Sequence, residues 1–191
     1  MRHSGTKGFT IVEALVAILL LALGLIGGTA MQLTALRTRH QSALLSNALQ
    51  LASGMAERMR ANAGQMQLGD SDNPYLNVRY DVGADVAPAP PAKLCFAASH
   101  CGESELAALD IYELKRQVKA ALPGGRLLIC RDSRQWDSAR KGLRWSCDGA
   151  AGAPVVIKLG WRGKNPDGTP LQLDPLLDTP ALALALTGAA P

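Results

Sequence analysis

The sequence predicts an α+β fold in which one long N-terminal helix packs on a small antiparallel sheet. Three observations predict it. From Phe9 to Met31 the chain is apolar, and Glu13 is its only charged side chain. The helical spacing of apolar residues continues well past that run, and no proline interrupts it before Pro74. After Pro123-Gly124-Gly125 the pattern changes to short runs rich in Val, Ile, Leu and Trp, which is strand chemistry.

The run Phe9–Met31 is 23 residues long. At about 1.5 Å per residue, a helix of that length crosses a hydrocarbon core of about 30 Å. A carboxylate inside such a run is costly, so Glu13 marks a functional site. A secretory signal carries its small-residue cleavage site after the apolar stretch. Here the small residue, Gly8, comes before it, and Arg2 and Lys7 lie on the eight-residue leader. Those charges keep the leader on the cytoplasmic side. Cutting after Gly8 leaves the apolar helix on the mature chain and creates an amine on Phe9. Glu13 would then neutralise that ammonium, because a buried charge does not persist without a partner.

Gly8-Phe9-Thr10-Ile11-Val12-Glu13 and the apolar run after it resemble the class III signal of type IV prepilins and type II secretion pseudopilins. The resemblance implies cleavage by a prepilin peptidase after Gly8 and N-methylation of Phe9. It also makes Glu13 the carboxylate that registers subunits during filament assembly. The fold expectation becomes pilin-like.

Beyond the membrane-length run, Leu33, Leu36, His40, Leu44, Ala48, Leu51, Met55 and Met59 follow spacings of three and four. One helix is expected from Phe9 to Ala63, about 80 Å long at 1.5 Å per residue. Gly24, Gly27 and Gly28 are soft points in it, open equally to a packing role and to simple tolerance in lipid. Ala56-Glu57-Arg58-Met59-Arg60-Ala61-Asn62 resembles the helix end of V-type minor pilins, the type IV pilus modification proteins. By itself that charged cluster reads as a solvated face.

Residues 64–92 read as a loop. Gly69-Asp-Ser-Asp-Asn-Pro74 is a turn, Val86–Ala92 is polyproline-like, and Tyr75–Val82 is a candidate short strand. A Ca²⁺ site on Asp70 and Asp72 lacks the spaced ligands of an EF-hand. A second helix is expected over Glu103–Leu122, capped by Gly102 or Ser104 and stopped by Pro123-Gly124-Gly125. Strands are expected at Arg126–Cys130, Gly142–Cys147 and Pro154–Trp161. The last two form a hairpin through Asp148–Ala153, and Thr179–Leu186 is a fourth strand or a frayed tail. The order of helix, Leu-Pro-Gly-Gly, strand and hairpin also resembles V-type minor pilins and I-type secretion pseudopilins.

The four cysteines, Cys95, Cys101, Cys130 and Cys147, all lie outside the apolar run, and export would favour disulfides. Three pairings are open. We favour Cys95–Cys101, a short local loop, and Cys130–Cys147, between two expected strands. A metal site on Cys95, His100, Cys101 and one more cysteine lacks any C-x-x-C repeat, so no metal and no cofactor is expected. A catalytic set would need His100 with Ser133 or Ser138, and no nucleophile elbow or phosphate loop supports it. Gly124-Gly125 lies between helix and strand in the wrong order for a phosphate cradle. No enzymatic activity is expected. Without Arg2 and Lys7, 18 basic residues face 16 acidic ones, too small an excess to imply nucleic acid.

The expected organisation is a leader at 1–8, a transmembrane and assembly half of the helix at 9–31, and its periplasmic half at 32–63. An α+β head follows at 64–191, with a variable loop at 64–92. As a V-type minor pilin, the chain would wait in the inner membrane with its head in the periplasm and then enter the pilus near its tip. The resemblance implies roles in assembly priming, adhesion and twitching motility. Its partners would be the prepilin peptidase, other minor pilins, the major pilin, the inner-membrane assembly platform and a tip adhesin. Two alternatives stand: an I-type pseudopilin of a type II secretion system, or a bitopic periplasmic binding module.

Overall fold

The computed structural model describes residues 8, 10–96, 100–163 and 179–186. The chain divides into two units, Met1–Gln41 and Ser42–Pro191. Helix α1, Ile11–Ala61, provides the helix of the first unit and opens the second. The elements that follow are α2 (Ala63–Met66), a 3-10 turn (Pro74–Asn77), β1 (Arg79–Asp81), α3 (Glu103–Ala121), β2 (Arg126–Arg131), β3 (Trp136–Asp137), β4 (Gly142–Leu143), β5 (Val155–Gly160) and β6 (Leu182–Ala185). The α+β expectation therefore holds: a long N-terminal helix with a small antiparallel sheet.

In the first unit every described side chain from Ile11 to Gln41 is exposed. In the second, the four-stranded sheet has the order β1-β2-β5-β6, with all pairs antiparallel. One face carries the row Tyr80, Leu127, Leu159 and Leu182, with Ile129, Ile157 and Leu184 beside it. This face joins the core with Leu44, Ala48, Ala52, Met55, Ala56 and Met59 of α1 and Leu114 and Val118 of α3. A period of 3.6 on the helices and of 2 on the strands directs these side chains to one place. Burial of that apolar area is the main term holding the head together.

Strand β5 is buried on both faces, Val155 through Gly160. Its outer face lies under the segment Arg131–Cys147. The indole of Trp145 lies against Gly160, where an added Cβ would come within 2.8 Å of Cζ2. The Arg126 guanidinium lies over the same indole, 4.4 Å from the ring centre. Disulfide Cys130–Cys147 ties the segment to β2, and Cys95–Cys101 closes a short loop before α3. These are the favoured pairings.

Several boundaries differ from expectation. Helix α1 ends at Ala61, not Ala63, because Asn62 leaves helical geometry at φ −99°, ψ 57°. Its side-chain amide donates to Glu103 O at 2.8 Å and to Tyr75 Oη at 3.0 Å, which turns the chain toward α3. The apolar face buried in the head begins at Leu44, whereas Leu33, Leu36 and His40 are exposed. The 64–92 loop contains structure: Asn73 Oδ1 caps the 3-10 turn through Tyr75 N–H, Tyr75 is fully buried, and β1 follows as a sheet edge. The expected hairpin of 142–147 with 154–161 does not form. Gly142–Leu143 pairs with Trp136–Asp137, and β5 pairs with β2 and β6. Segment 144–147 lies across the sheet instead, because Trp145, Cys147 and the backbone carbonyls between them find their partners there. Helix α3 stops as expected. Gly124 takes φ +55°, which favours glycine, and Gly125 N–H returns to Leu122 O at 2.9 Å.

Candidate functional site

The N-terminal junction is built from Gly8, Thr10 and Glu13. Gly8 is exposed and lies outside the helix. Thr10 caps α1: its carbonyl accepts from Ala14 N–H at 3.2 Å and its Oγ1 from Glu13 N–H at 3.3 Å. Thr-x-x-Glu is thus the spacing of a capping box, with the threonine half formed. Glu13 sits in the first turn, where the helix dipole favours a negative charge. Among the described residues its carboxylate has no hydrogen-bond or ion-pair partner. Phe9 and residues 1–7 lie outside the described residues, and with them the methylation position and most of the leader.

From Ile11 onward the helix presents bare apolar surface: Ile11 is 82 % exposed and Ile26 67 %. Its most apolar stretch has a mean hydropathy of 2.5 and no buried residue. Among the described residues it is the one helix long and apolar enough to cross a membrane. A surface of this size requires lipid or other helices against it. Thr29 Oγ1 donates to Ile26 O at 2.9 Å, so its hydroxyl is satisfied within the helix. Gly24, Gly27 and Gly28 lie inside the continuous helix, open to solvent.

In the head, two polar networks were missed by sequence reasoning. Lys158 and Asp132 are both fully buried, and Nζ meets Oδ2 at 2.6 Å. The same ammonium donates to Arg144 O at 2.9 Å and Ser146 O at 3.0 Å. Asp132 also faces Arg144 at 3.4 Å and accepts from Arg134 N–H at 3.1 Å. Burial works against its charge, but the Lys158 hydrogen bond, the Arg134 N–H and the two cations outweigh it, and its carboxyl lies below the ordinary range. The sequence signal was a lone lysine inside the otherwise apolar run Val155–Gly160. The second network joins Asn62, Tyr75, Asp110 and Arg58. Tyr75 Oη donates to Asp110 Oδ2 at 2.9 Å, and Arg58 pairs with Asp110 at 3.0 Å and Glu113 at 3.5 Å. Burial pushes the Tyr75 phenol well above its usual value; Asn62 opposes this and Asp110 adds to it. Arg58, read as part of a solvated face, instead ties α1 to α3, while Glu57 does pair locally with Arg60.

The other candidate residues are engaged elsewhere. Asp70 pairs with Arg131 at 2.7 Å. Ser133 donates from N–H and Oγ to Asp148, whose carboxyl falls to about 2 through the Ser133 hydroxyl first, then the Ser133 and Ala150 N–H groups and the Arg134 charge. Among the described residues His100 makes no hydrogen bond to Ser133 or Ser138. The thiols of Cys95 and Cys101 are consumed in their disulfide.

An exposed apolar helix opened by Thr-x-x-Glu and leading into a helix-on-sheet head defines a pilin-like protein. Residues 3–29 match the prokaryotic N-terminal methylation motif, and residues 30–112 match the Tt1218-like family, described as type IV pilin Tt1218. No curated protein and no solved structure is matched. The two family matches lie side by side along the chain and support a type IV pilin. The methylation motif implies processing by a prepilin peptidase and assembly with other pilins. The apolar helix fits a pilin that is anchored in the inner membrane and then enters the pilus.

Proposed function

We propose that this chain is a V-type minor pilin that primes assembly at the pilus tip and supports adhesion and twitching motility. A prepilin peptidase removes residues 1–8, and Phe9 becomes the methylated N-terminus. Residues 9–31 hold the chain in the inner membrane and later pack among other stems, and the segment beyond them lies in the periplasm. The supporting observation is Glu13, a carboxylate with no partner among the described residues, at the start of a bare apolar helix. In a filament, a neighbouring subunit's N-terminal ammonium supplies the missing countercharge. Working partners are the major pilin, other minor pilins, the assembly platform and a tip adhesin.

Glu13→Ala tests this. The variant should insert in the membrane at normal level and be depleted at least five-fold from sheared pili. Wild-type recovery in pili would refute the role of Glu13. Normal piliation with lost protein secretion in a deletion strain would transfer the chain to a type II secretion system.

A further inference from the structure

Between Lys7 and Arg58 the only basic side chains are Arg37, Arg39 and His40, and between Glu13 and Glu57 there is no acidic one. Ion pairs along a helix need partners three or four residues apart, so these arginines have none on α1. All three basic side chains are exposed, and among the described residues none has an ion pair. One turn toward the N-terminus the helix is still bare and apolar, with Leu33 43 % and Leu36 61 % exposed. Thr38 Oγ1 donates to Thr34 O at 3.1 Å, so the hydroxyl between the arginines is satisfied within the helix. The two guanidiniums are the charges at this level that still need a counter-ion.

The spacing along α1 selects what supplies it. Arg37 and Arg39 are separated by about 3 Å along the helix axis and about 200° around it. They leave the helix on nearly opposite sides at one level. A protein partner covers one side, whereas a layer of lipid headgroups surrounds a helix on every side. From Glu13 to Arg37 the helix runs about 36 Å at 1.5 Å per residue. That is longer than a hydrocarbon core of about 30 Å and shorter than the roughly 40–45 Å that includes the headgroups. With Arg37 among the headgroups of one leaflet, Glu13 reaches the headgroup layer of the other.

Resting on the reading of the chain as a membrane-anchored pilin, we propose that Arg37 and Arg39 clamp phospholipid phosphates in the leaflet away from the N-terminus and so set the depth of the helix before assembly. Each guanidinium offers a planar fork of N–H donors that matches phosphate oxygens. The aliphatic stems let the charged ends stay among the headgroups while the helix below them stays in hydrocarbon. Glu13 is thereby held where water reaches its carboxylate, instead of in the hydrocarbon, where a charge is costly.

The test uses the full chain in vesicles of phosphatidylethanolamine and phosphatidylglycerol, with Met31→dansylalanine as the depth probe. Quenching by lipids brominated at different positions along their tails gives the depth of the dye. The pair is moved outward by four residues with Arg37→Gln, Arg39→Gln, Gln41→Arg and Ala43→Arg, all at exposed positions. The dye should then lie about 6 Å deeper, because the relocated guanidiniums seek the same phosphate plane. In vesicles of a galactolipid, which has no phosphate, the parent and moved-pair chains should show the same depth. Equal depths in phospholipid, or the same difference in galactolipid, would overturn the proposal and leave the pilus reading intact. Equal depths in phospholipid together with loss of the moved-pair chain from sheared pili would assign the arginines to a protein partner and overturn it too. Failure of the parent chain to insert would overturn both the membrane reading and this proposal.

Discussion

Replacing Asp132 with asparagine preserves shape and removes the charge that faces Lys158. Both side chains are fully buried, so water cannot compensate for the loss. An ammonium left buried without its counter-ion costs about 3–5 kcal/mol. Here the carbonyls of Arg144 and Ser146 remain at 2.9 and 3.0 Å and soften the loss. We expect about 3 kcal/mol for Asp132→Asn, near the low end of that range. Lys158→Met should cost at least as much, since it strands those carbonyls as well as the carboxylate. The double variant removes both charges, and its cost should fall short of the sum of the singles by about 2 kcal/mol. The assay is thermal unfolding of the full chain in detergent, followed by near-ultraviolet circular dichroism of the tryptophans. For a head of this size, 3 kcal/mol corresponds to roughly 6–12 °C. The pH dependence adds a sign. The native Asp132 carboxyl is depressed, so it takes its proton later than the unfolded chain does. Its stabilisation is complete above the ordinary carboxylate range and is lost as pH falls through the depressed native value. Asp132→Asn should flatten that acid limb. A single-variant cost under 1 kcal/mol, or strict additivity in the double, would refute the claim that this pair holds Arg144–Cys147 on the sheet.

Two further outcomes follow from the packing. Gly160→Val should displace Trp145, abolish its stacking with Arg126 and cost about 1–3 kcal/mol as overpacking, read as a lower thermal midpoint and a changed tryptophan spectrum. An unchanged spectrum would contradict the geometry. Tyr75 should resist alkaline titration until the head unfolds, because burial raises its phenol, while solvated tyrosines ionise near pH 10. Absorbance at high pH would show one tyrosine missing in Tyr75→Phe from the late, unfolding-linked step; a loss from the early step would contradict the assignment.

What could be read in the sequence was periodic or punctuated. The apolar run, the helical spacing into Leu44–Met59, and the stop at Pro123-Gly124-Gly125 each express a local preference that the fold keeps. The cysteine pairs came from separation and context, and the structure holds them. What escaped depends on contacts distant in sequence. Asn62 breaks α1 because Tyr75 and Glu103 accept from it, 13 and 41 residues away. Segment 142–147 looked like half of a hairpin, because alternation of side chains does not say which strand is the neighbour. Its partners were Lys158 and Gly160 beneath it and Arg126 beside it, reached across the sheet. Arg58 looked solvated because nothing in its own helix accounts for it; Asp110 does. At the junction, Thr10 and Glu13 were recognisable by spacing, and the cap explains locally why a threonine stands three residues before the acid.

The central claim is that the apolar helix becomes the mature N-terminus after removal of residues 1–8. Mass spectrometry of the chain isolated from its cells measures this directly. The account predicts a chain that begins at Phe9 and carries one added methyl group on its amine. A chain that retains Met1–Gly8, or one cut beyond the apolar run, would contradict it.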